Sequence, residues 1–217
     1  MKNSNGKNGK KKAIGLLSGG LDSTLAVRVM SDMGYEVTAV NVETPFCNCS
    51  GDSKCTQTSK KSSLGSDFKR IYAGQEYVDL VKNPPHGRGR NMNICIDCRI
   101  YMLKKAKERM DEVGAEVVFT GEVLGQRPMS QHTRALREIE AKSGLKGRLL
   151  RPLSGKLLKA TIPEKEGNIS RDDLLNFQGR SRKPQMKLAE ELEITDYPTP
   201  AGGCMLADES FARRLQD

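Results

Sequence analysis

An apolar run, Ala13-Ile14-Gly15-Leu16-Leu17, ends in Ser18-Gly19-Gly20-Leu21-Asp22-Ser23, and an apolar-periodic segment through Leu25, Ala26, Val29 and Met30 follows at once. That order predicts a buried strand, a tight turn and a helix, and it commits the chain to an architecture in which helices return along a sheet. Two glycines let the turn's backbone approach an anion with no Cβ in the way. Amides exposed at the start of the helix then suit phosphate oxygens, aided by the helix dipole. Ser18 and Ser23 add hydroxyl groups at either end. The two commonest phosphate-loop patterns, GxxxxGK[ST] and GxGxxG, are absent.

The rest of the chain repeats the alternation. The pattern predicts strands at 13–17, 36–42, 68–72 and 115–120, with a short one at 149–153 that ends at a proline. Helices are expected at 22–33, 97–113, 130–142 and 208–216, with a helical turn at 77–81. Residues 43–66 and 83–90 read as loops, and 163–203 as short helices and loops. The expected fold is therefore α/β: a doubly wound parallel sheet with ligand at the carboxyl ends of its strands. Three regions follow: a basic, solvated tail at 1–12, a nucleotide-type domain at 13–160, and a short irregular C-terminal extension at 161–217.

Charge and cysteine content narrow the classes. The formal net charge is +9, and five lysines of it lie in residues 1–12, so the remainder is only mildly basic. Nucleic acid is permitted as a partner but not required. Trp is absent and aromatics are few, which argues against base-stacking platforms. No apolar run is long enough for a membrane span and no secretory leader is evident, so a cytoplasmic protein is expected. In that compartment Cys47, Cys49, Cys55, Cys95, Cys98 and Cys204 point to metal or catalysis rather than disulfides. Cys95-Ile96-Asp97-Cys98 opens a helix, where the dipole favours thiolate. Cys47, Cys49 and Cys55 form a second group, either a metal or redox site or mobile free thiols. His86 and His132 are isolated and read as structural.

Four motifs in order carry a family resemblance: SGGLDS at 18–23, CIDCR at 95–99, TGEVLGQRPMSQ at 120–131 and RPLSGK at 151–156. SGGxDS resembles the pyrophosphate loop of the N-type ATP pyrophosphatases, which split ATP between the α and β phosphates. The set resembles the PP-loop domain of the tRNA thiouridine synthases: the 4-thiouridine branch, the 2-thiouridylases and archaeal-type enzymes with three cysteines. The likeness spans roughly residues 13–155, with Cys204 a further point of contact. It implies an adenine nucleotide alpha hydrolase-like, Rossmann-like fold. The implied activity is an ATP-dependent sulfurtransferase that adenylates a carbonyl oxygen of a tRNA uridine or similar base and replaces it with sulfur. Products would be AMP and pyrophosphate, and the sulfur donor hydrosulfide or a persulfide carrier protein. The chain lacks the THUMP, rhodanese and barrel segments that often position tRNA in such enzymes, so a partner or a second copy of the chain is a candidate source of RNA-binding surface.

On that resemblance Ser18, Gly19, Gly20, Asp22 and Ser23 hold the phosphates, with Asp22 holding Mg²⁺ or shaping the loop. Val40 and Asn41 edge the adenine, and Gly121, Gln126 and Arg127 flank the α-phosphate and substrate. Cys95, Cys98 and Cys204 would hold a [4Fe–4S] cluster with one open iron; their spacing equally allows a Cys₃ Zn²⁺ site or a Cys98/Cys204 persulfide pair. Two other classes stay open: an amidating or nitrile-forming enzyme of the deazaguanine synthase type, and a non-catalytic nucleotide or iron–sulfur module.

Overall fold

A computed structural model describes residues 11–47, 67–195, 197 and 204–216. Residues 1–10 of the expected 1–12 tail, Cys49, Cys55 and most of the Pro200–Cys204 loop lie outside them, while Lys12, expected in the tail, opens the first strand through its pairing with Glu36. Five strands are present: β1 (Lys12–Leu16), β2 (Glu36–Glu43), β3 (Asp67–Tyr72), β4 (Val117–Thr120) and β5 (Leu149–Leu150). They form one sheet in the order β3-β2-β1-β4-β5, and every pairing is parallel. Consecutive strands run outward on one side of β1 and then restart on its other side at β4. The switch point of the sheet is therefore the gap between β1 and β4, where open α/β sheets place their ligands.

The helices are α1 (Leu21–Asp32), α2 (Gln75–Lys82), α3 (Cys95–Val113), α4 (Thr133–Lys142), α5 (Ile162–Lys165), α6 (Lys183–Glu191) and α7 (Glu209–Gln216). Successive strand residues serve opposite faces of the sheet. Ile14, Val40, Val42 and Val118 pack on one face with Ile100, Leu103, Ala106 and Met110 of α3. Ala13, Val37, Ala39, Val117 and Phe119 pack on the other with Leu21, Leu25 and Met30 of α1 and Ala189 of α6. Both faces are covered, so the central strands β1 and β4 are buried almost throughout. This is the doubly wound α/β fold that the alternation predicted.

Several boundaries differ from the sequence reading for identifiable reasons. α3 starts at Cys95 rather than near Asp97, because the Asn93 side-chain oxygen accepts the Cys95 amide at 3.0 Å. Its end is as expected: Gly114 adopts φ 65° and stops the helix. α4 starts at Thr133 with His132 as its N-cap, the ring Nδ1 accepting the Ala135 amide at 3.3 Å. β5 is only two residues long, since Pro152 cannot donate to a ladder and the chain tightens into a 3-10 helix over Pro152–Leu157. α2 runs eight residues, where only one turn was legible: Tyr77 and Val81 are its buried positions.

Candidate active site at the carboxyl ends of β1 and β4

After β1 the chain reverses through Ser18, Gly19 and Gly20. Gly19 takes φ 74°, a left-handed conformation that a side chain disfavours. Gly20 is the N-cap of α1 and supplies no side-chain cap, so the first amides of a twelve-residue helix have no capping side chain. The two serines brace the turn. The Ser23 hydroxyl donates to the Gly20 carbonyl at 2.8 Å, lies 3.2 Å from the Ser18 hydroxyl and accepts the Ser18 amide at 3.3 Å. From the neighbouring strand the Asn41 amide donates to the Leu17 carbonyl at 2.7 Å, which locks the end of β2 to the turn.

β4 delivers the second half. A Cβ on Gly121 would stand 2.4 Å from the Asp22 carbonyl carbon and oxygen and 2.6 Å from the Ser23 nitrogen. Only glycine lets the end of β4 press against the first turn of α1. Beyond it, Gln126 donates from Nε2 to Asp22 Oδ2 at 2.9 Å. Among the described residues, buried Asp22 Oδ1 and Gln126 Oε1 have no hydrogen-bond partner. Two unpartnered acceptor oxygens beside uncapped helix amides suit a hard cation bridging carboxylate and phosphate. A cavity of about 160 Å³ opens here, lined among others by Ser18, Asp22, Asn41, Cys47, Arg99, Gly121 and Arg127. A larger cavity of about 550 Å³ lies at the β5 edge, between α4 and α5, and contains none of the loop residues.

The motifs also meet in an ion cluster that the sequence reading missed. Glu122 is 1 % exposed and accepts from Arg151 Nε at 3.1 Å and from the Thr120 hydroxyl at 3.1 Å. Arg99 Nε stands 3.3 Å from its other oxygen. Burial alone would raise the Glu122 carboxyl; the charges of Arg99 and Arg151 and these hydrogen bonds outweigh it and hold the group below its ordinary value. The CIDCR, TGE and RPL motifs are thus three corners of one buried structure, which orients Arg99 along the cavity wall. The signal available in the sequence was a glutamate inside an otherwise apolar strand end. Its partners, far away in the chain, could not be read there.

The described cysteines lie near one another, and Cys47 among them also lines the cavity. Cys95 and Cys98 sit in the first turn of α3, half-buried, and Cys204 is exposed. Cys204 pairs with Cys47 in an isolated antiparallel bridge, with the Met205 amide donating to the Phe46 carbonyl at 3.3 Å. Cys47 therefore stands beside Cys204. Burial pushes the Cys98 thiol up to about 12, against the lowering effect of a hydrogen bond with Tyr77 and of Arg99. Burial also raises Cys204, and the nearby Cys95 and Cys47 add to the shift. The expectation that the helix start would favour thiolate is corrected at Cys98: desolvation there exceeds the dipole. Among the described residues, no three His, Cys, Asp or Glu side chains converge closely enough to hold a metal ion. The donor set, three thiols and a fourth beside them, has the soft character that zinc or an iron–sulfur cluster requires, without the closed shell.

His86, isolated in the sequence, has acidic neighbours on both sides, with Nδ1 2.5 Å from Asp97 and Nε2 3.3 Å from Glu138. One cation arrives from the C-terminal extension: Arg182 Nη2 lies 3.8 Å from Asp22 Oδ2. In the sequence the Arg180-Arg182-Lys183 run reads as a basic stretch that could track RNA phosphate, with a solvated helix face the commoner explanation. Among the described residues, no helix is long and apolar enough to cross a membrane.

The chain is 26% identical over 147 residues to the tRNA-specific 2-thiouridylase MnmA of Histophilus somni (strain 2336), covering 62% of this chain and 38% of that protein. It is 31% identical over 120 residues to a probable tRNA sulfurtransferase of Methanothermobacter thermautotrophicus, covering 53% and 30%. A crystal structure of a 4-thiouridine synthetase–RNA complex with bound ATP shares the fold, with TM-score 0.52, 24% identity, and coverage of 93% of this chain and 53% of that one. The chain thus spans well under two thirds of the curated relatives it matches. The sequence profile described as "ThiI: Thiamine biosynthesis protein (ThiI)" matches residues 8–166, from before β1 to just past α5. By that match over most of its length, and by the motifs that converge on its β1–β4 switch point, the chain belongs to the ThiI family.

Proposed function

We propose that this chain carries the ATP-dependent chemistry of a tRNA sulfurtransferase. The observation that carries the reading is the pairing of unpartnered Asp22 Oδ1 with the uncapped amides of α1, at the switch point of the sheet. An anion on the amides and a cation on the carboxylate satisfy both at once, which is what Mg²⁺-bound ATP offers. Tight turn residues Gly19 and Gly20 and the braced Ser18 and Ser23 hold the phosphate chain. Val40 and Asn41 edge the adenine, while Gly121, Gln126 and Arg127 face the α-phosphate.

The reaction has two steps. The carbonyl oxygen of a uridine attacks the α-phosphate, the α–β phosphoanhydride bond breaks, and pyrophosphate leaves with the bonding electrons. A sulfur nucleophile then adds to the activated carbon; AMP departs with the C–O electron pair and a thiocarbonyl remains. The amides of the turn and Arg127 oppose the charge that builds on phosphate in the first step. Cys95, Cys98 and Cys204 are the residues that would hold a [4Fe–4S] cluster, which supplies an open iron for hydrosulfide. A persulfide carrier protein is the other source of sulfur: its outer sulfur would add to the activated carbon as AMP leaves, and a cysteine thiol would then attack the remaining S–S bond, releasing the thiocarbonyl and leaving a disulfide.

The names of the relatives, a 2-thiouridylase and a tRNA sulfurtransferase, support tRNA as the substrate class. The test is to incubate the full chain with unmodified tRNA, ATP, Mg²⁺ and sulfide under anaerobic conditions and to analyse digested nucleosides by mass spectrometry. A thiouridine that requires ATP and disappears with Asp22→Ala is the expected result. ATP turnover without sulfur in the RNA would contradict the assignment. The sulfur end has its own test in iron and sulfide content after anaerobic purification. About four of each are expected in the parent, and a loss in Cys95→Ala. Zinc alone, or no metal, would remove the cluster.

A further inference from the structure

We infer that Arg182 is a phosphate-binding residue of the nucleotide site, one that pairs with Asp22 and turns to the β and γ phosphates when nucleotide is bound. The inference rests on the nucleotide reading above and adds to it a residue beyond 8–166, the part of the chain that the family profile matches.

The C-terminal extension brings this side chain to the loop by a fixed route. The Ser154 hydroxyl donates to the Phe177 carbonyl at 2.6 Å, and the Phe177 amide donates to the Leu153 carbonyl at 2.8 Å. Gln178 then forms a parallel bridge with Leu124, and the Gly179 amide donates to the Leu124 carbonyl at 2.7 Å. That contact is close: a Cβ built on Gly125 would lie 3.5 Å from the Gly179 nitrogen. Residues 177–179 therefore run along the segment that carries Gln126. Arg182 follows as the N-cap of α6, whose Ala189 is buried against the α1 face. Tied at both ends, the short stretch between has little choice of where to put Arg182.

The contact it makes is incomplete. Arg182 Nη2 stands 3.8 Å from Asp22 Oδ2, and both side chains are about four-fifths buried, at 21% and 19% exposed. That separation gives charge pairing without a hydrogen bond. The same Asp22 oxygen already accepts from Gln126 at 2.9 Å. Among the described residues, the Arg182 side chain makes no hydrogen bond, so the N–H donors of its planar fork are not committed to a protein acceptor. The pairing offsets the Asp22 charge, which alone would repel an incoming polyphosphate. Once a cation neutralises Asp22, the guanidinium loses its counter-charge beside three or four phosphate oxygens, which its planar fork fits better than it fits one distant carboxylate.

The test is calorimetric binding of ATP, inorganic pyrophosphate and AMP, each with Mg²⁺, to the full-length parent and to Arg182→Ala, Arg182→Gln and Arg182→Lys, with thermal melts of all four. ATP and pyrophosphate affinity should fall roughly 10- to 100-fold in the Ala and Gln variants and recover in part with Lys, while AMP binding stays within about twofold. The Gln variant keeps the side chain's first three carbons and a polar end without the charge, and decides the matter where truncation to Ala unfolds the chain. Unchanged ATP and pyrophosphate affinity in a folded variant would overturn the inference, and so would an equal loss for AMP, the mark of a merely structural residue. Failure of the parent to bind ATP at all would instead overturn the nucleotide reading, and this inference with it.

Discussion

Replacing Glu122 by Gln should destabilise this protein more than any loss of contact area would suggest. The change is almost isosteric and removes no packing. It leaves Arg151, 3 % exposed, with no closer carboxylate than Glu140 at 3.7 Å, and it removes the charge that Arg99 faces at 3.3 Å. Breaking a buried pair from one side typically costs about 3–5 kcal/mol, because the surviving charge stays desolvated. For a chain of this size each kcal/mol lowers Tm by about 2–4 °C, so a fall of roughly 6–20 °C is expected in a thermal melt at pH 7. The double variant Glu122→Leu/Arg151→Met removes both charges and should recover much of that loss. Acid supplies an independent arm. The folded state holds the Glu122 carboxyl below its ordinary 4.5, so it binds that proton less tightly than the unfolded chain does. The cluster's contribution is therefore complete above about pH 4.5 and drains away as pH falls through the lower folded value. Glu122→Gln should flatten the stability curve in that window. A single variant that loses less than about 1 kcal/mol, or a double variant as unstable as the two singles summed, would refute the reasoning.

The remaining expectations concern the loop and the thiols. Gly121→Ala drives a methyl into the Asp22 backbone, which cannot yield as a side chain can, so ATP affinity should fall at least about tenfold with a lower Tm. Gly34→Ala is the control: its φ of 83° adds strain but its Cβ meets nothing within 4 Å, so affinity should hold. Asp22→Asn keeps the hydrogen-bonding shape and removes the charge, and ATP turnover should drop by two orders of magnitude or so with the fold intact, as read by pyrophosphate release. With iodoacetamide at pH 8 and peptide mass mapping, exposed Cys204 should be alkylated well before Cys98, whose thiol is pushed up to about 12. Cys98 labelling first would contradict its burial.

What the sequence reveals of this fold follows from the range of each interaction. β1, the turn and α1 are legible because apolar period, glycines and the helix start are all local. The same holds for α3, with its apolar stripe from Ile100 to Met110 and its stop at Gly114. β5 is overestimated because a local apolar pattern through Leu153 does not register that Pro152 has no ladder hydrogen bond to give. The motif residues Asp22, Gly121 and Gln126 do meet, in the helix start after β1 and the segment after β4, on the side of the sheet where ligand sites form. The ion cluster and Arg182 were illegible for the opposite reason. Glu122 and Arg151 are 29 residues apart, and Arg182 reaches Asp22 across most of the chain. The thiolate expectation at Cys98 failed because burial by Tyr77 and its neighbours depends on tertiary packing, while the helix dipole is local.

The central claim is that the β1–β4 site breaks ATP between its α and β phosphates on behalf of an RNA base. The most direct measurement is the identity of the nucleotide product when α-³²P-labelled ATP is incubated with the full chain, Mg²⁺ and unmodified tRNA. Labelled AMP with an equal amount of pyrophosphate, dependent on tRNA and absent with Asp22→Ala, is the expected result. Labelled ADP, or AMP formed at the same rate without RNA, would contradict it.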